Sequence, residues 1–87
     1  LLAHRMRVRG MNWVKYASPS EEMVAVTKIR YKDPGAPSVL HPVDSQHVDV
    51  TFQSPVRAIT PGQSAVFYEG DDVLGGGWIQ SVGNAGG

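Results

Sequence analysis

At 87 residues, with eight Lys/Arg against eight Asp/Glu and no cysteine, the chain has room for one small domain with a modest core and none for two. The lack of cysteine excludes a disulfide scaffold, thiolate zinc sites and a cysteine nucleophile within this stretch, and ten Gly and six Pro leave no apolar run long enough for a membrane-spanning helix. The neutral total hides an uneven spread, since residues 1–32 carry a net +5 and residues 33–87 a net −5, which suggests one basic face.

The chain opens Leu1-Leu2-Ala3-His4-Arg5, with neither an initiator Met nor a signal-peptide pattern, and reads as a piece of a longer protein. Arg5-Met6-Arg7-Val8-Arg9 alternates charged and apolar residues, the period of a half-exposed strand, and Gly10 breaks it. Tyr16 to Glu22 is polar and contains Pro19; Ser18-Pro19-Ser20-Glu21 has capping-box spacing, but no helical period follows it, so the segment reads as a loop. Met23 to Tyr31 is the strongest strand signal, and Asp33-Pro34-Gly35 turns the chain. Ser38 to Val43 is a short strand that Pro42 assigns to an edge or a bulge. After Asp44-Ser45-Gln46, the run His47 to Phe52 alternates with Val48, Val50 and Phe52 on one face. Pro61-Gly62 signals a type II turn, Ser64 to Tyr68 a strand, and Glu69-Gly70-Asp71 a tight hairpin. Val73 to Ile79 passes through Gly75-Gly76-Gly77, and Gly83 to Gly87 reads as a flexible tail after a domain spanning residues 1–82. Twelve valines, rich in rotamer-restricted β-branched carbon, and turns every 8–12 residues give an all-β fold, a small antiparallel six-stranded β-barrel.

Several residues are candidates for chemistry. Lys28, Arg30 and Lys32 fall on one strand face, as do Arg5, Arg7 and Arg9, with side chains two apart spaced by about 6.6 Å. That spacing resembles the phosphates of a nucleic-acid strand, so the two basic strands form either a platform for RNA or DNA or an ordinary solvated face. Gly75-Gly76-Gly77 has no following helix to cradle a phosphate and reads as a glycine bulge bending a strand. His4, His41 and His47 lack metal-ligand spacing, and Asp71-Asp72 fits a solvated hairpin better than a catalytic pair. Trp13, Tyr31 and Trp78 are either base-stacking residues or core. No catalytic residue and no metal site is assigned.

Three segments are more specific: Gly10-Met11-Asn12-Trp13, Lys28-Ile29-Arg30-Tyr31, and the unbroken run from Pro55 through Pro61-Gly62-Gln63 and Tyr68-Glu69-Gly70-Asp71-Asp72 to Gly77. Together they resemble the C-terminal domain of bacterial tRNA-specific 2-thiouridylases, over a span from about Arg9 to Ile79. The resemblance implies a barrel similar to those of translation elongation factors, within a cytoplasmic enzyme that adenylates the C2 oxygen of a wobble uridine and replaces it with persulfide sulfur. It places the ATP loop, with its ATP and magnesium, and both catalytic cysteines in an N-terminal domain of the same chain. A sulfur-carrier protein would supply that domain, and no membrane is involved. By motif, the resemblance assigns tRNA contacts to Arg30, Tyr31 and Gln63; Lys28 and Lys32, on the strand face of Arg30, are additional candidates for phosphate contact. The expected function is non-catalytic tRNA binding; the rival is a structural barrel whose basic strands pack on an acidic neighbouring domain.

Overall fold

The computed structural model describes residues 2–30 and 32–84, and these form six strands. They are β1 (Leu2–Trp13), β2 (Met23–Lys28), β3 (Ala36–Pro42), β4 (Val48–Arg57), β5 (Ser64–Glu69) and β6 (Asp72–Asn84). All pairings are antiparallel, and the sheet closes in the order β1-β4-β3-β2-β5-β6. Closure removes the unpaired strand edges that a chain this short could not cover with another layer.

The alternation along β4 sets the core: Val48, Val50 and Phe52 point inward and are buried, while Asp49 and Thr51 face outward. Val8, Leu40, Phe67, Leu74 and Ile79 meet them from the other strands. At about 1.5–3 kcal/mol for each large side chain removed from water, this cluster dominates the stability. Two buried hydroxyls sit among these residues. Thr27 and Ser38 share a 2.6 Å hydrogen bond, and Ser38 donates to the Ala36 carbonyl at 2.8 Å, so neither oxygen is left without a partner.

The elements depart from the sequence reading at four places. Strand β2 stops at Lys28 instead of Tyr31, because the Asp33 carboxylate draws the chain into a turn: Oδ1 accepts from the Gly35 amide at 2.9 Å, and the Asp33 amide donates to the Arg30 carbonyl at 2.9 Å. Strand β3 is not an edge; it lies between β2 and β4, and Pro42 is tolerated as its last residue. Strand β4 continues through Pro55, which falls between the paired segments ending at Phe52 and restarting at Val56, so its missing amide costs no ladder bond. Strand β6 runs unbroken to Asn84, which pairs with Ala3, so Gly83 and Asn84 of the expected tail lie in the sheet; Ala85, Gly86 and Gly87 lie outside the described residues.

The glycine run is a bend in a barrel strand. A Cβ at Gly77 would lie 2.6 Å from the Arg9 carbonyl oxygen and 2.7 Å from Val8 Cγ1, and one at Gly76 would lie 2.7 Å from the Ala65 carbonyl oxygen. Register slips flank the run against both neighbours, between Arg9 and Asn12 of β1 and between Phe67 and Tyr68 of β5. Only glycine lets three backbones come this close where the sheet curls shut.

Candidate nucleic-acid interface

The two basic strands do not combine. In the closed order, β1 and β2 lie on opposite sides of the barrel, with two strands between them in either direction. Arg7 is moreover committed to Asp49 through a bidentate pair at 2.6 and 2.9 Å. Its hydrogen bonds hold the Asp49 carboxyl below the usual carboxylate range and push the guanidinium up in turn. A single platform of six cations is therefore absent.

Three of the eight cations gather instead at one end of the barrel. There the β2–β3 connection, residues 29–35, faces the β4–β5 connection, residues 58–63, and the start of β1. Arg30 and Lys32 from the first connection and Arg57 from the end of β4 line a cleft of about 520 Å³, together with Asp33, Leu2 and Val56. Arg57 pairs with Leu2 at the last register position of β4 and β1. The sequence reading missed Arg57, whose one signal is that it is the only cation among residues 33–87.

Arg30 also shapes this end. Its guanidinium donates to the Ala58 carbonyl and, at 3.5 Å, to the Arg57 carbonyl. Ala58 has a φ of 56°, in the left-handed region that costs an L-residue about 1–2 kcal/mol, and the guanidinium secures the carbonyl of that strained residue. Two residues on, Thr60-Pro61-Gly62-Gln63 forms the turn read from the sequence, with Gly62 at φ 95° and the Gln63 amide donating to the Thr60 carbonyl at 3.3 Å. Gln63 Oε1 accepts from the Thr60 amide at 2.9 Å, so the side chain has its NH2 group left to offer a ligand.

Among the candidate site residues, Arg30 and Lys32 are thus brought together, and Gln63 stands on the turn that follows Ala58, whose carbonyl Arg30 holds. Lys28 closes β2 with its ammonium 4.9 Å from the Tyr68 ring centroid, on the outer wall and apart from the cleft. Tyr31 lies outside the described residues.

The other end is acidic. Glu21 and Glu22 lie before β2, Asp44 lies between β3 and β4, and Glu69, Asp71 and Asp72 surround the β5–β6 hairpin. Lys15 is held there at 2.6 Å from Glu69 and 2.8 Å from Asp72, and Tyr16 donates to Glu69 at 2.9 Å. The Lys15 ammonium and then the Tyr16 hydroxyl lower the Glu69 pKa, while the two carboxylates raise that of Lys15. The two ends of the barrel therefore carry opposite charge, the Arg30 end basic and the hairpin end acidic.

The histidines are engaged locally. His41 lies 2.9 Å from Glu22 and 3.2 Å from Thr51, and His47 lies 2.9 Å from Asp44. Among the described residues, no three His, Asp or Glu side chains gather as a metal would require, and no helix is long and apolar enough to cross a membrane. Neighbouring carbonyls and side chains crowd the Cβ positions of Gly75, Gly76 and Gly77, and the run continues into strand β6, with no helix N-terminus after it among the described residues.

Comparison with known proteins matches residues 3–79 to the aminomethyltransferase β-barrel domain family. The chain is 51% identical over 77 residues to the tRNA-specific 2-thiouridylase MnmA of Amoebophilus asiaticus, covering 87% of this chain and 20% of that protein. It is 46% identical over 85 residues to the same enzyme of Salinibacter ruber, covering 98% of this chain and 22% of the relative. For the enzyme of Chlorobium chlorochromatii the identity is 41% over 80 residues, covering 92% and 22% respectively. The chain spans about a fifth of the length of these curated relatives.

Proposed function

Because the chain belongs to the aminomethyltransferase β-barrel domain family, in the C-terminal form found in tRNA-specific 2-thiouridylases, we propose that it is the tRNA-binding, non-catalytic part of a uridine-thiolating enzyme. The observation that carries this reading is the cleft at the barrel end, where Arg30, Lys32 and Arg57 stand around one acid, Asp33. Both Asp33 carboxylate oxygens are turned to the Gly35 and Ile29 amides, which reduces their opposition to an incoming phosphate. Guanidinium groups suit phosphate oxygens geometrically, and the Gln63 NH2 group can donate to a 2′-hydroxyl or a base edge. The rest of the polypeptide would hold ATP and magnesium, receive sulfur from its carrier and perform the chemistry in the cytoplasm.

The test is tRNA binding by the full-length enzyme across a range of salt. Lys32→Ala should weaken binding and reduce the slope of log K against log salt by about 0.7–0.9, the loss of one phosphate contact. ATP binding should be unchanged. Arg30→Ala should weaken tRNA binding further, because it removes a cation and also frees the turn that carries Gln63. Equal tRNA affinity in wild type and both variants would exclude this end of the barrel from the RNA interface.

A further inference from the structure

The wall of the barrel has two unlike halves. On the β6-β1-β4 side the outward residues are polar, with Arg5, Arg7, Arg9, Asp49, Thr51 and Ser81 among them. On the β3-β2-β5 side and into β6, the central outward positions are Val39, Val24, Val26, Val66, Tyr68 and Trp78, with Pro37, His41, Lys28 and Ser64 outward around them toward the strand ends. The valines and Tyr68 meet through the pairs Val24↔Val39 and Val26↔Tyr68, and Trp78 borders them across Ser64, its partner in β5. Val24 is 76% exposed and Trp78 49% exposed, whereas a barrel solvated all round alternates apolar-in with polar-out. Beside Trp78, the backbones of Gly76 and Gly77 floor a shallow groove of about 290 Å³ that continues onto Val66.

We propose that this apolar wall is where the barrel docks on the remainder of its own polypeptide. The matched relatives hold about four-fifths of their length outside the region this chain covers, so a large folded neighbour is available to cover it. The other surfaces suit other partners: both barrel ends are charged, and the opposite wall carries the β1 arginines. Valines and one tryptophan clustered on one side of the barrel, with Lys28 at the margin, match the apolar centre and polar rim of an interface between domains. The inference rests on the chain's place within a longer enzyme but not on the RNA reading, because the docking wall and the Arg30 cleft are separate surfaces.

The absence of cysteine from these 87 residues allows a direct test. Val24→Cys and Val39→Cys are introduced singly into the full-length enzyme, with Gln53→Cys on the polar side as the reference. Thiol alkylation at each site is followed by peptide mass spectrometry. Docking predicts alkylation of the Val24 and Val39 sites at least about tenfold slower than at the Gln53 site, as expected for a face exposed only by transient opening. It also predicts that protection is independent of protein concentration and of added tRNA. Equal rates at all three sites would overturn the proposal. Protection that fades on dilution would assign the wall to a second copy, and protection appearing only with tRNA would assign it to RNA; either result also overturns it. A loss of tRNA affinity is not among these readouts, so failure of the RNA reading leaves this test intact.

Discussion

Gly77→Ala should be among the most damaging one-carbon additions available to this barrel. The added Cβ would stand 2.6 Å from the Arg9 carbonyl oxygen and 2.7 Å from Cγ1 of the buried Val8, against ordinary contact distances of roughly 3.4 Å and above. The first obstacle is backbone and the second is a β-branched side chain with restricted χ1, so neither can swing aside. Relief would require β6 to move away from β1 by more than half an ångström. In a closed sheet that displacement stretches the ladder on one side and compresses it on the other. Overpacking of this kind costs about 1–3 kcal/mol, and a weakened ladder bond adds about 1. The loss of chain entropy in the unfolded state returns about 0.4–1 kcal/mol. The expected net destabilisation is about 2–3 kcal/mol, a large share of the few kcal/mol that hold a domain of this size.

Gly62→Ala supplies the control, because nothing lies within 4 Å of a Cβ there and only its φ of 95° opposes the substitution. Its cost should be about 1–2 kcal/mol, from left-handed strain alone. Urea unfolding followed by fluorescence of Trp13 and Trp78 should rank the midpoints wild type, Gly62→Ala, Gly77→Ala, with similar slopes. A Gly77→Ala midpoint equal to wild type, or above that of Gly62→Ala, would refute the view that close backbone approach fixes the glycine run.

Three further outcomes are expected. Asp49 has a depressed pKa when folded, owing first to the Arg7 hydrogen bond, so its contribution is complete above about pH 5 and fades as the pH falls through the carboxylate range. Asp49→Asn should therefore lower the melting temperature by no more than a few degrees at pH 7, and the difference should shrink steadily as the pH falls below the ordinary carboxylate range. Thr27→Val removes half of the buried hydroxyl pair while Ser38 keeps the Ala36 carbonyl, so the cost should be about 0.5–1.5 kcal/mol, with Thr27→Ala clearly worse because it adds a cavity. Ala58→Gly relieves a φ of 56° at the expense of backbone entropy and should be neutral or stabilising by up to about 1 kcal/mol. In a double-mutant cycle it should also soften the effect of Arg30→Ala, and strict additivity would show that Arg30 does not restrain that residue.

The barrel was legible in the sequence because most strands carry their own instruction. The inward set Val48, Val50 and Phe52 needs only the two-residue period to be found, and Pro61-Gly62 and Glu69-Gly70-Asp71 mark their turns by composition. What escaped depends on contacts across long separations. The end of β2 at Lys28 is the local exception, where the Asp33 carboxylate closes a turn on the Ile29 and Gly35 amides that overrides the strand signal running on to Tyr31. The approach of Arg30 to Arg57, 27 residues away, exists only because β2 and β4 finish at the same end. The outward valines of β2 read as strand propensity until the closed order shows which residues stand beside them.

One property of the candidate site follows from strand parity alone. In a six-stranded barrel whose direction reverses at every strand, the first, third and fifth connections fall at one end and the second and fourth at the other. The odd connections and their flanks hold Glu21, Glu22, Asp44, Glu69, Asp71 and Asp72, while the second holds Arg30 and Lys32 and the fourth follows directly on Arg57. The two ends of the barrel therefore differ in charge, while Arg5, Arg7 and Arg9 remain on the β1 wall. The geometry has a consequence for how the two surfaces operate. On the two proposals made above, a partner docked against the β3-β2-β5 wall would leave the Arg30 end clear for RNA. Substitutions on the wall should then alter how firmly the barrel is held, and substitutions around Arg30, Lys32 and Arg57 should alter the salt dependence of tRNA binding, with little coupling between the two sets.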